Sequence, residues 1–267
     1  MTPAGQLGLG LLAACAVAGA GYQTRALTVS GAVAATLVGT AIFGFGGWRW
    51  AAIMIAFFVL SSLLSRLGKW RRREAAGVVE KGSRRDALQV LANGGVAALI
   101  AVAHGANSGS LLLFPAFVGA MAAATADTWS TEIGTLSRTP PRSILTLKTL
   151  QPGWSGGVTL LGLVGAAMGA VVIALIAALG SSDVVALMVG GLVAGFGGSV
   201  FDSLLGASVQ RVNRCPVCLT PTERSVHTCG TATVLARGWA LIDNDTVNTL
   251  TTAFGAVLGA LIFAALS

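Results

Sequence analysis

Long apolar stretches alternate with short polar ones along most of the chain. A helix that crosses a bilayer needs about 20 consecutive, mostly apolar residues. Eight segments meet that requirement, and they cover residues 5–22, 27–46, 48–66, 87–104, 110–130, 156–179, 184–207 and 247–266. The pattern predicts an all-α, polytopic membrane protein. We expect a helix bundle of about eight transmembrane helices that forms a single membrane domain over residues 1–267.

The composition agrees with a membrane protein. Hydrophobic residues make up 54% of the 267 positions and charged residues only 10%, and so few polar residues cannot cover a soluble globule. The 36 glycines recur in runs such as "LGLVGAAMGA" and "VGGLVAGFGG". In lipid, small residues let helix backbones approach closely, so helix packing explains most of them. We therefore expect an integral protein of the cell's inner membrane, surrounded by lipid.

Basic side chains concentrate in alternate loops. Eight of the 17 Lys and Arg residues lie in residues 66–85, and others lie in the loops at 135–154 and 208–238. The connections "HGANSGS" and "GSSD" contain neither residue type. This alternation follows the positive-inside rule, which places the three basic loops in the cytoplasm and both chain termini on the opposite side. The net charge of +7 is therefore explained by topology, and we do not expect nucleic acid as a partner.

Three carboxylates fall inside or at the ends of apolar segments. Asp127 and Glu132 lie in "ATADTWSTEIGTLS", and Asp202 lies in "GGSVFDSLLGASVQ". An isolated charge at the centre of a membrane helix costs on the order of 3 kcal/mol or more, so such residues mark functional sites by default. The topology places all three near the cytoplasmic ends of their helices. A purely structural polar network is the alternative.

Two further segments carry unusual polar residues on the same side. Asp245 and Asn248 begin the last segment in "LIDNDTVN", and Arg84, Arg85 and Asn93 begin the fourth in "RRDALQVLANGG". Neighbouring acidic residues have ordinary structural explanations, such as Asp86 as a helix N-cap. Taken together, four segments bring polar side chains to one end of the bundle.

These residue types suit a magnesium-bound phosphate ligand. Carboxylates and amide oxygens bind Mg²⁺, which is usually held by one or two carboxylates plus substrate phosphates. Arg84, Arg85, Arg142 and Lys148 supply positive charge for phosphate oxygens. We predict that Asp127 and Asp202 hold Mg²⁺–nucleotide and that Lys148 neutralises the transferred charge. Glu132 and Asp245 are then predicted to orient this group of ligands.

Glycine pairs along the same side would let backbone amides approach an anion. Gly156 and Gly157, in "QPGWSGGV", are predicted to open a helix whose N-terminus attracts negative charge. Helix packing is the alternative reading for any single pair.

Three of the four cysteines lie in one predicted cytoplasmic loop, residues 208–238. Cys215, Cys218, His227 and Cys229 form a C-x₂-C pair followed by H-x-C. Four such ligands are enough for a closed, structural Zn²⁺ site. Because cytosolic disulfides are rare, free thiols or a redox-labile pair are the alternatives.

Five stretches resemble, in order, the integral membrane family first catalogued as domain of unknown function 92. They are "RRDALQVLANGG", "ADTWSTEIGTLS", "PRSILTLKTLQPGWSGGV", "GGSVFDSLLGASVQ" and "IDNDTVN". The family includes the plant phytyl-phosphate kinase and an animal transmembrane relative. The resemblance implies transfer of a phosphoryl group from a nucleoside triphosphate, CTP being the favoured donor, to an isoprenyl monophosphate such as phytyl phosphate. It places Asp127, Glu132, Asp202 and Asp245 on acidic motif positions without assigning their individual roles.

Three readings of the polar cluster remain open. A phosphate acceptor is already ionised near neutral pH, because its second pKa is about 6, so a kinase acting on it needs no strong base. If the acceptor were a free alcohol, a carboxylate such as Asp127 would have to act as base. A secondary transporter of a small solute or lipid-linked substrate also uses buried charge and glycine-rich helices. A structural scaffold leaves the buried carboxylates unexplained.

Overall fold

Long helices dominate the computed structural model, which describes residues 2–68 and 84–267. Most of the basic loop at 66–85 lies outside the described residues. The helices are α1 (Pro3–Gln23), α2 (Val29–Ala41), α3 (Trp48–Gly68), α4 (Ala87–Ala106), α5 (Leu113–Gly134), α6 (Leu160–Ala178), α7 (Val184–Ser208) and α8 (Asn244–Leu266). One π-helical turn, Ile42–Gly46, extends α2.

Two small antiparallel sheets lie between the later helices. Strands β1 (Arg142–Ser143) and β2 (Gly157–Val158) pair in the connection from α5 to α6. Strands β3 (Val212–Arg214), β4 (Pro221–Thr222) and β5 (Val234–Arg237) form a sheet of order β4-β3-β5 between α7 and α8. No strand of the described chain forms a membrane-sized sheet, so the predicted all-helical membrane bundle is confirmed.

Helix α5 is the central helix of the bundle. Within residues 2–68 and 84–267, seven helices are long and apolar enough to cross a membrane, and α5 is not one of them. Yet every residue from Phe117 to Ala126 is buried. Helix α5 packs against α3, α4, α6, α7 and α8. Because protein rather than lipid surrounds it, it tolerates more polar residues than its neighbours do.

Side-chain caps set the helix starts at one end of the bundle. Asp86 accepts a hydrogen bond from the Gln89 amide at 3.0 Å, and the Gln89 side chain accepts one from the Asp86 amide, which completes a capping box. Asp243 caps α8 by accepting from the Thr246 amide at 2.9 Å. The reading of Asp86 as an N-cap is therefore confirmed.

Helix α6 begins later than its sequence predicts. Thr159 caps the helix through the Gly162 amide, so that the first helical residue is Leu160. Gly156 has a positive φ of 78° and Gly157 belongs to β2. The prediction that Gly156 and Gly157 open a helix is therefore wrong, because this backbone runs as a turn and a strand before the cap.

The basic connections meet at one end of the bundle, which we call the basic end. It comprises residues 24–28, 84–86, 135–159 and 209–243. Arg66 donates to the Thr24 carbonyl at 2.9 Å, and the Thr28 amide donates to the Arg85 carbonyl at 3.0 Å. The Ser155 hydroxyl donates to the Glu223 carboxylate, which joins the two later connections. The connections at 107–112 and 179–183 lie at the other end, in agreement with the predicted alternation.

Candidate functional site

A seam of glycines brings α5, α7 and α8 into direct backbone contact. A Cβ atom added to Gly119 of α5 would lie 2.1 Å from the Gly255 carbonyl oxygen of α8, and one added to Gly198 of α7 would lie 2.5 Å from the Ala123 Cβ atom of α5. A Cβ atom added to Gly259 of α8 would lie 2.8 Å from the Pro115 carbonyl oxygen of α5. Since only hydrogen fits at these positions, the three helices are held in one relative arrangement. We call Gly119, Gly198, Gly255 and Gly259 the glycine seam.

Two carboxylates face each other where the glycine seam ends. Asp127 lies four residues after Ala123 on α5, and Asp202 lies four residues after Gly198 on α7. A four-residue step keeps a side chain on the same helix face. The two carboxylates interact electrostatically, and the Thr251 hydroxyl of α8 donates to Asp202 Oδ2 at 3.1 Å. The seam therefore presents a carboxylate pair near the basic end.

Glu132 lies on a different face of α5 from Asp127. Five residues separate them, which rotates the side chains by about 140° at 3.6 residues per turn. Glu132 is only 6% exposed, and its Oε1 accepts a hydrogen bond from the Ser65 hydroxyl of α3 at 2.5 Å. The two carboxylates are close in sequence, but the structure groups Glu132 with α3 and Asp127 with α7.

The polar residues that begin α4 contact the first three helices. Arg84 donates to the Leu27 carbonyl through Nε and NH2, at 3.3 and 2.9 Å. The Arg85 guanidinium lies 5.6 Å from the centre of the Phe57 ring. Asn93 donates to the Gln89 carbonyl within its own helix at 3.0 Å. Arg84 thus fastens the α1–α2 connection, whereas Arg85 and Asn93 face the interior between α1, α2 and α3.

The cations predicted for phosphate lie in the exposed connection between α5 and α6. Arg142 and Lys148 are both exposed, and their side chains make no hydrogen bond or ion pair with any other described residue. Gly156 packs on α7, since a Cβ there would lie 2.5 Å from Ala207. Gly157 pairs with Ser143. The structure therefore holds this connection against the end of α7, one turn beyond Asp202.

Asp245 and Asn248 lie in the first two turns of α8. Asp245 is half-buried and lies seven residues before Thr252, on the same side of the helix. Thr252 donates to the Ala92 carbonyl of α4 at 3.2 Å. Asn248 lies one turn before Thr251, which binds Asp202. The Asp127 carboxylate and the Asn248 amide have no hydrogen-bond partner in the described part of the chain.

Cys215, Cys218, His227 and Cys229 converge in the loop between α7 and α8. Their ligand atoms all lie within 4.8 Å of one another. Cys215 Sγ lies 3.6 Å from Cys229 Sγ, and His227 Nδ1 lies 3.1 Å from the same sulfur. Sulfur ligands at 2.3 Å around a tetrahedral zinc ion are about 3.8 Å apart. The spacing predicted from the sequence is therefore realised as a Cys₃His group with dimensions that fit a metal ion.

Tight turns shape this Cys₃His group. The Cys218 amide donates to Cys215 Sγ at 3.4 Å, and Leu219, which follows, has a positive φ of 57°. Hydrogen bonding with Thr231 and His227 lowers the pKa of the Cys229 thiol to about 5. The hydrogen bond to Cys229 is the main reason that the pKa of Cys218 rises to about 11. One thiolate is thus favoured at neutral pH, as a metal ligand requires.

Three features of the site were missed by sequence reasoning. Thr251 binds Asp202 and Ser65 binds Glu132, but a single hydroxyl in an apolar helix is a weak sequence signal. The glycine seam was seen only as general packing. The sequence feature that indicates it is the four-residue spacing from Ala123 to Asp127 and from Gly198 to Asp202, because this spacing places each carboxylate on the same helix face as a small residue.

Comparison with known proteins places the chain in a family. Residues 12–256 match the family described as "Integral membrane protein DUF92". The chain is 33% identical over 251 residues to "Protein PGR" of Arabidopsis thaliana, covering 85% of each chain. It is 28% identical to an uncharacterized membrane protein of Methanocaldococcus jannaschii, over 98% of this chain and 96% of that one. No solved structure matches the chain. The chain therefore belongs to the DUF92 family of integral membrane proteins.

Proposed function

We propose that this DUF92 protein is a membrane-embedded phosphotransferase. It transfers a phosphoryl group from a nucleoside triphosphate, CTP by the family resemblance, to an isoprenyl monophosphate. The observation that carries the proposal is the Asp127–Asp202 pair, held face to face by the glycine seam. Two adjacent like charges repel each other, and membrane helices retain such groups mainly for function. A pair of this kind suits a cation that arrives with phosphate groups.

The two carboxylates fit Mg²⁺ with a nucleotide. Magnesium is usually bound by one or two carboxylates together with substrate phosphates. Asp127 and Asp202 would hold it, with Thr251 orienting Asp202 and the Asn248 amide available to the same group. When bound, the ion neutralises charge that develops on the phosphate oxygens.

The reaction requires positioning more than covalent catalysis. An oxygen of the acceptor phosphate attacks the γ-phosphorus of the donor, and the bond from that phosphorus to the bridging oxygen breaks. The products are an isoprenyl diphosphate and a nucleoside diphosphate. The acceptor oxygen is already ionised near neutral pH, so this chain's residues need only align the groups and balance their charge.

The basic end supplies the positive charge in this scheme. Lys148 and Arg142 lie in the exposed connection that packs on the end of α7, and we assign Lys148 to the transferred phosphoryl group. Nucleoside triphosphates are cytoplasmic, so the basic end would lie on the cytoplasmic side of the inner membrane. Arg84 is assigned a positioning role, because its guanidinium binds the Leu27 carbonyl.

A turnover assay tests the proposal. The purified protein is incubated with γ-labelled CTP, Mg²⁺ and a panel of isoprenyl monophosphates. The expected result is a labelled isoprenyl diphosphate that forms only when magnesium is present. Absence of labelled product with every acceptor of the panel would contradict phosphoryl transfer from CTP to an isoprenyl monophosphate.

A secondary transporter is the second candidate. The facing carboxylates favour it, because carriers also bind coupling ions at buried acidic residues. Proteoliposomes separate the two functions. Solute flux that disappears in Asp127→Asn, together with absent phosphoryl transfer, would establish the transporter.

We also propose that the Cys₃His group holds a structural Zn²⁺. Four protein ligands leave no open position, so the ion would fasten the loop rather than take part in chemistry. Metal analysis should find about one zinc per chain, and Cys218→Ser should lose it together with thermal stability of the loop. Cys15→Ser, at an exposed position of α1, is the control. Zinc-free protein with an unchanged melting curve would contradict this assignment.

A further inference from the structure

A long cavity lies between the first four helices, away from the carboxylate pair. Its wall includes Trp48, the first residue of α3, and Phe58, ten residues further along that helix. At 1.5 Å per residue this part of the wall extends about 15 Å along the helix axis. Small residues form much of the wall, including Gly10 and Ala13 of α1 and Gly39 of α2. The cavity is therefore elongated and almost entirely apolar.

Polar side chains line this cavity at the start of α4. Arg85, Gln89 and Asn93 follow at four-residue spacing, so they share one helix face. Arg85 lies next to the cap of α4, at the basic end, and its backbone bridges to Leu27. The cavity thus has a cationic end at the basic face of the protein and an apolar remainder that extends into the membrane.

The opposite side of the same α4 turn contacts the carboxylate region. Ala92 precedes Asn93, and its carbonyl accepts the hydrogen bond from Thr252 of α8 at 3.2 Å. The preceding residue, Thr251, donates to Asp202. One turn of α4 therefore separates the polar end of the cavity from the helix that supports the carboxylate pair.

We propose that this cavity binds the hydrocarbon chain of the phosphate acceptor, with its phosphate at the Arg85 end. The inference rests on the proposed function for the class of substrate. An elongated apolar cavity lined by four helices suits a single hydrocarbon chain, and a charged phosphate at its end is complementary to the guanidinium of Arg85. The phosphate then lies at the basic end, next to the α4 turn that contacts α8, and the chain stays out of water.

Filling the cavity tests the proposal. Ala13→Leu adds a large side chain to the wall, whereas Ala16→Leu adds the same side chain at an exposed position of the same helix, outside the wall. Binding of a long-chain and a short-chain isoprenyl monophosphate to purified protein is measured by native mass spectrometry, without nucleotide. We expect Ala13→Leu to weaken long-chain binding by about tenfold or more. Ala13→Leu should bind the short-chain compound as the unmodified protein does, and Ala16→Leu should bind both compounds as the unmodified protein does.

Two results would overturn the proposal. The first is equal binding of the long-chain compound by Ala13→Leu and Ala16→Leu. The second is a protein that retains a membrane phospholipid in this cavity and does not bind isoprenyl phosphate there. A melting temperature measured on both variants shows whether Ala13→Leu is folded, and Ala35→Leu on the α2 wall repeats the test if it is not. The binding measurement requires no turnover. If binding of the long-chain compound depends on Ala13 but no phosphoryl transfer is found, the proposed function is rejected, whereas the cavity remains a binding site for the hydrocarbon chain.

Discussion

The two halves of the bundle use small residues in opposite ways. In the half built from α5, α7 and α8, the glycine seam places backbones in direct contact, as at Gly119 and Gly255. In the half built from α1 to α4, small residues line a cavity, and a Cβ atom added to Gly94 would meet the ends of the Val38 and Met54 side chains. Along the seam of one half the helices touch through backbone and the small Ala123 side chain, while the other half leaves a cavity between its helices and makes a comparably close approach at Gly31, near the Arg85 carbonyl.

This difference fits two different requirements. A pair of carboxylates must be held at fixed separation, because electrostatic interactions in a medium of low polarity depend strongly on distance. A hydrocarbon chain is bound by non-directional apolar contact, so its site tolerates small shifts of the wall. The half built from α5, α7 and α8, which we call the rigid half, therefore carries the charged site. The half built from α1 to α4, which we call the open half, carries the cavity. Substitutions in the two halves should differ accordingly.

The largest effect on stability is expected for Gly119→Ala in the rigid half. The new methyl group would overlap the Gly255 carbonyl of α8, and neither backbone can move without separating α5 from α8. Overpacking of this kind costs about 1–3 kcal/mol or more. The melting temperature in detergent should fall clearly, together with activity. Gly95→Ala in α4, where no atom of residues 2–68 or 84–267 apart from its neighbours in the helix lies within 4 Å of the new methyl group, is the control, and equal melting temperatures for the two variants would contradict the role of the seam.

Thr251→Val should reduce turnover without loss of fold. Valine retains the shape of threonine but removes the hydroxyl that donates to Asp202. A hydrogen bond to a charged group contributes about 1.5–3 kcal/mol, so we expect a rate loss of roughly 10- to 150-fold. Thr249→Val should keep its activity, because the Thr249 hydroxyl donates to the Asp245 carbonyl within its own helix. A Thr251→Val variant with unchanged turnover would show that Asp202 needs no orientation from α8.

Glu132→Gln should have a smaller effect on turnover. The amide can still accept the hydrogen bond from Ser65, and Glu132 faces α3 rather than the Asp127–Asp202 pair. We expect a loss of roughly threefold, below 1 kcal/mol, measured under saturating substrate. A loss as large as that of Asp127→Asn would show that Glu132 acts together with Asp127 and Asp202. It would contradict the assignment of Glu132 and Asp127 to different faces of α5 with different roles.

The smallest effect on stability is expected for Gly94→Ala in the open half. The new methyl group would lie 3.0 Å from Val38 Cγ1 and 3.5 Å from Met54 Cε, and both side chains can adjust. The melting temperature should change little relative to Gly95→Ala, while long-chain substrate binding weakens slightly. A collapse comparable to Gly119→Ala would show that the two halves are equally rigid.

Much of the fold followed from hydrophobic length alone. The segment predicted at 48–66 is α3, Trp48–Gly68, because a bilayer requires a long apolar run and little else. The ends of helices were less predictable. Helix α8 begins at Asn244, three residues before the predicted start, because Asp243 caps it. Helix α6 begins at Leu160, since the left-handed turn at Gly156 delays it.

The candidate site was predictable in part. The depth of Asp127 and Asp202 pointed to a shared site, and the Cys₃His spacing pointed to a cluster that the structure brings together. The hydrogen-bond partners of individual residues could not be predicted, because they depend on how each helix is rotated about its axis and on which helices pack next to it. Arg84 was predicted to bind phosphate, but its guanidinium lies on the Leu27 carbonyl, a contact between residues 57 positions apart that no local pattern contains.

Turnover by Asp127→Asn and Asp202→Asn tests the central claim most directly. Asparagine retains the size of the side chain and removes its charge, so the fold should survive, as a melting curve would verify. If the pair holds Mg²⁺–nucleotide, each variant should lose on the order of a thousandfold in phosphoryl transfer, with partial recovery at high Mg²⁺. Asp183→Asn, at the opposite end of the bundle, should keep full activity. Wild-type turnover in both Asp127→Asn and Asp202→Asn would contradict the account, because the facing carboxylates would then serve only the structure.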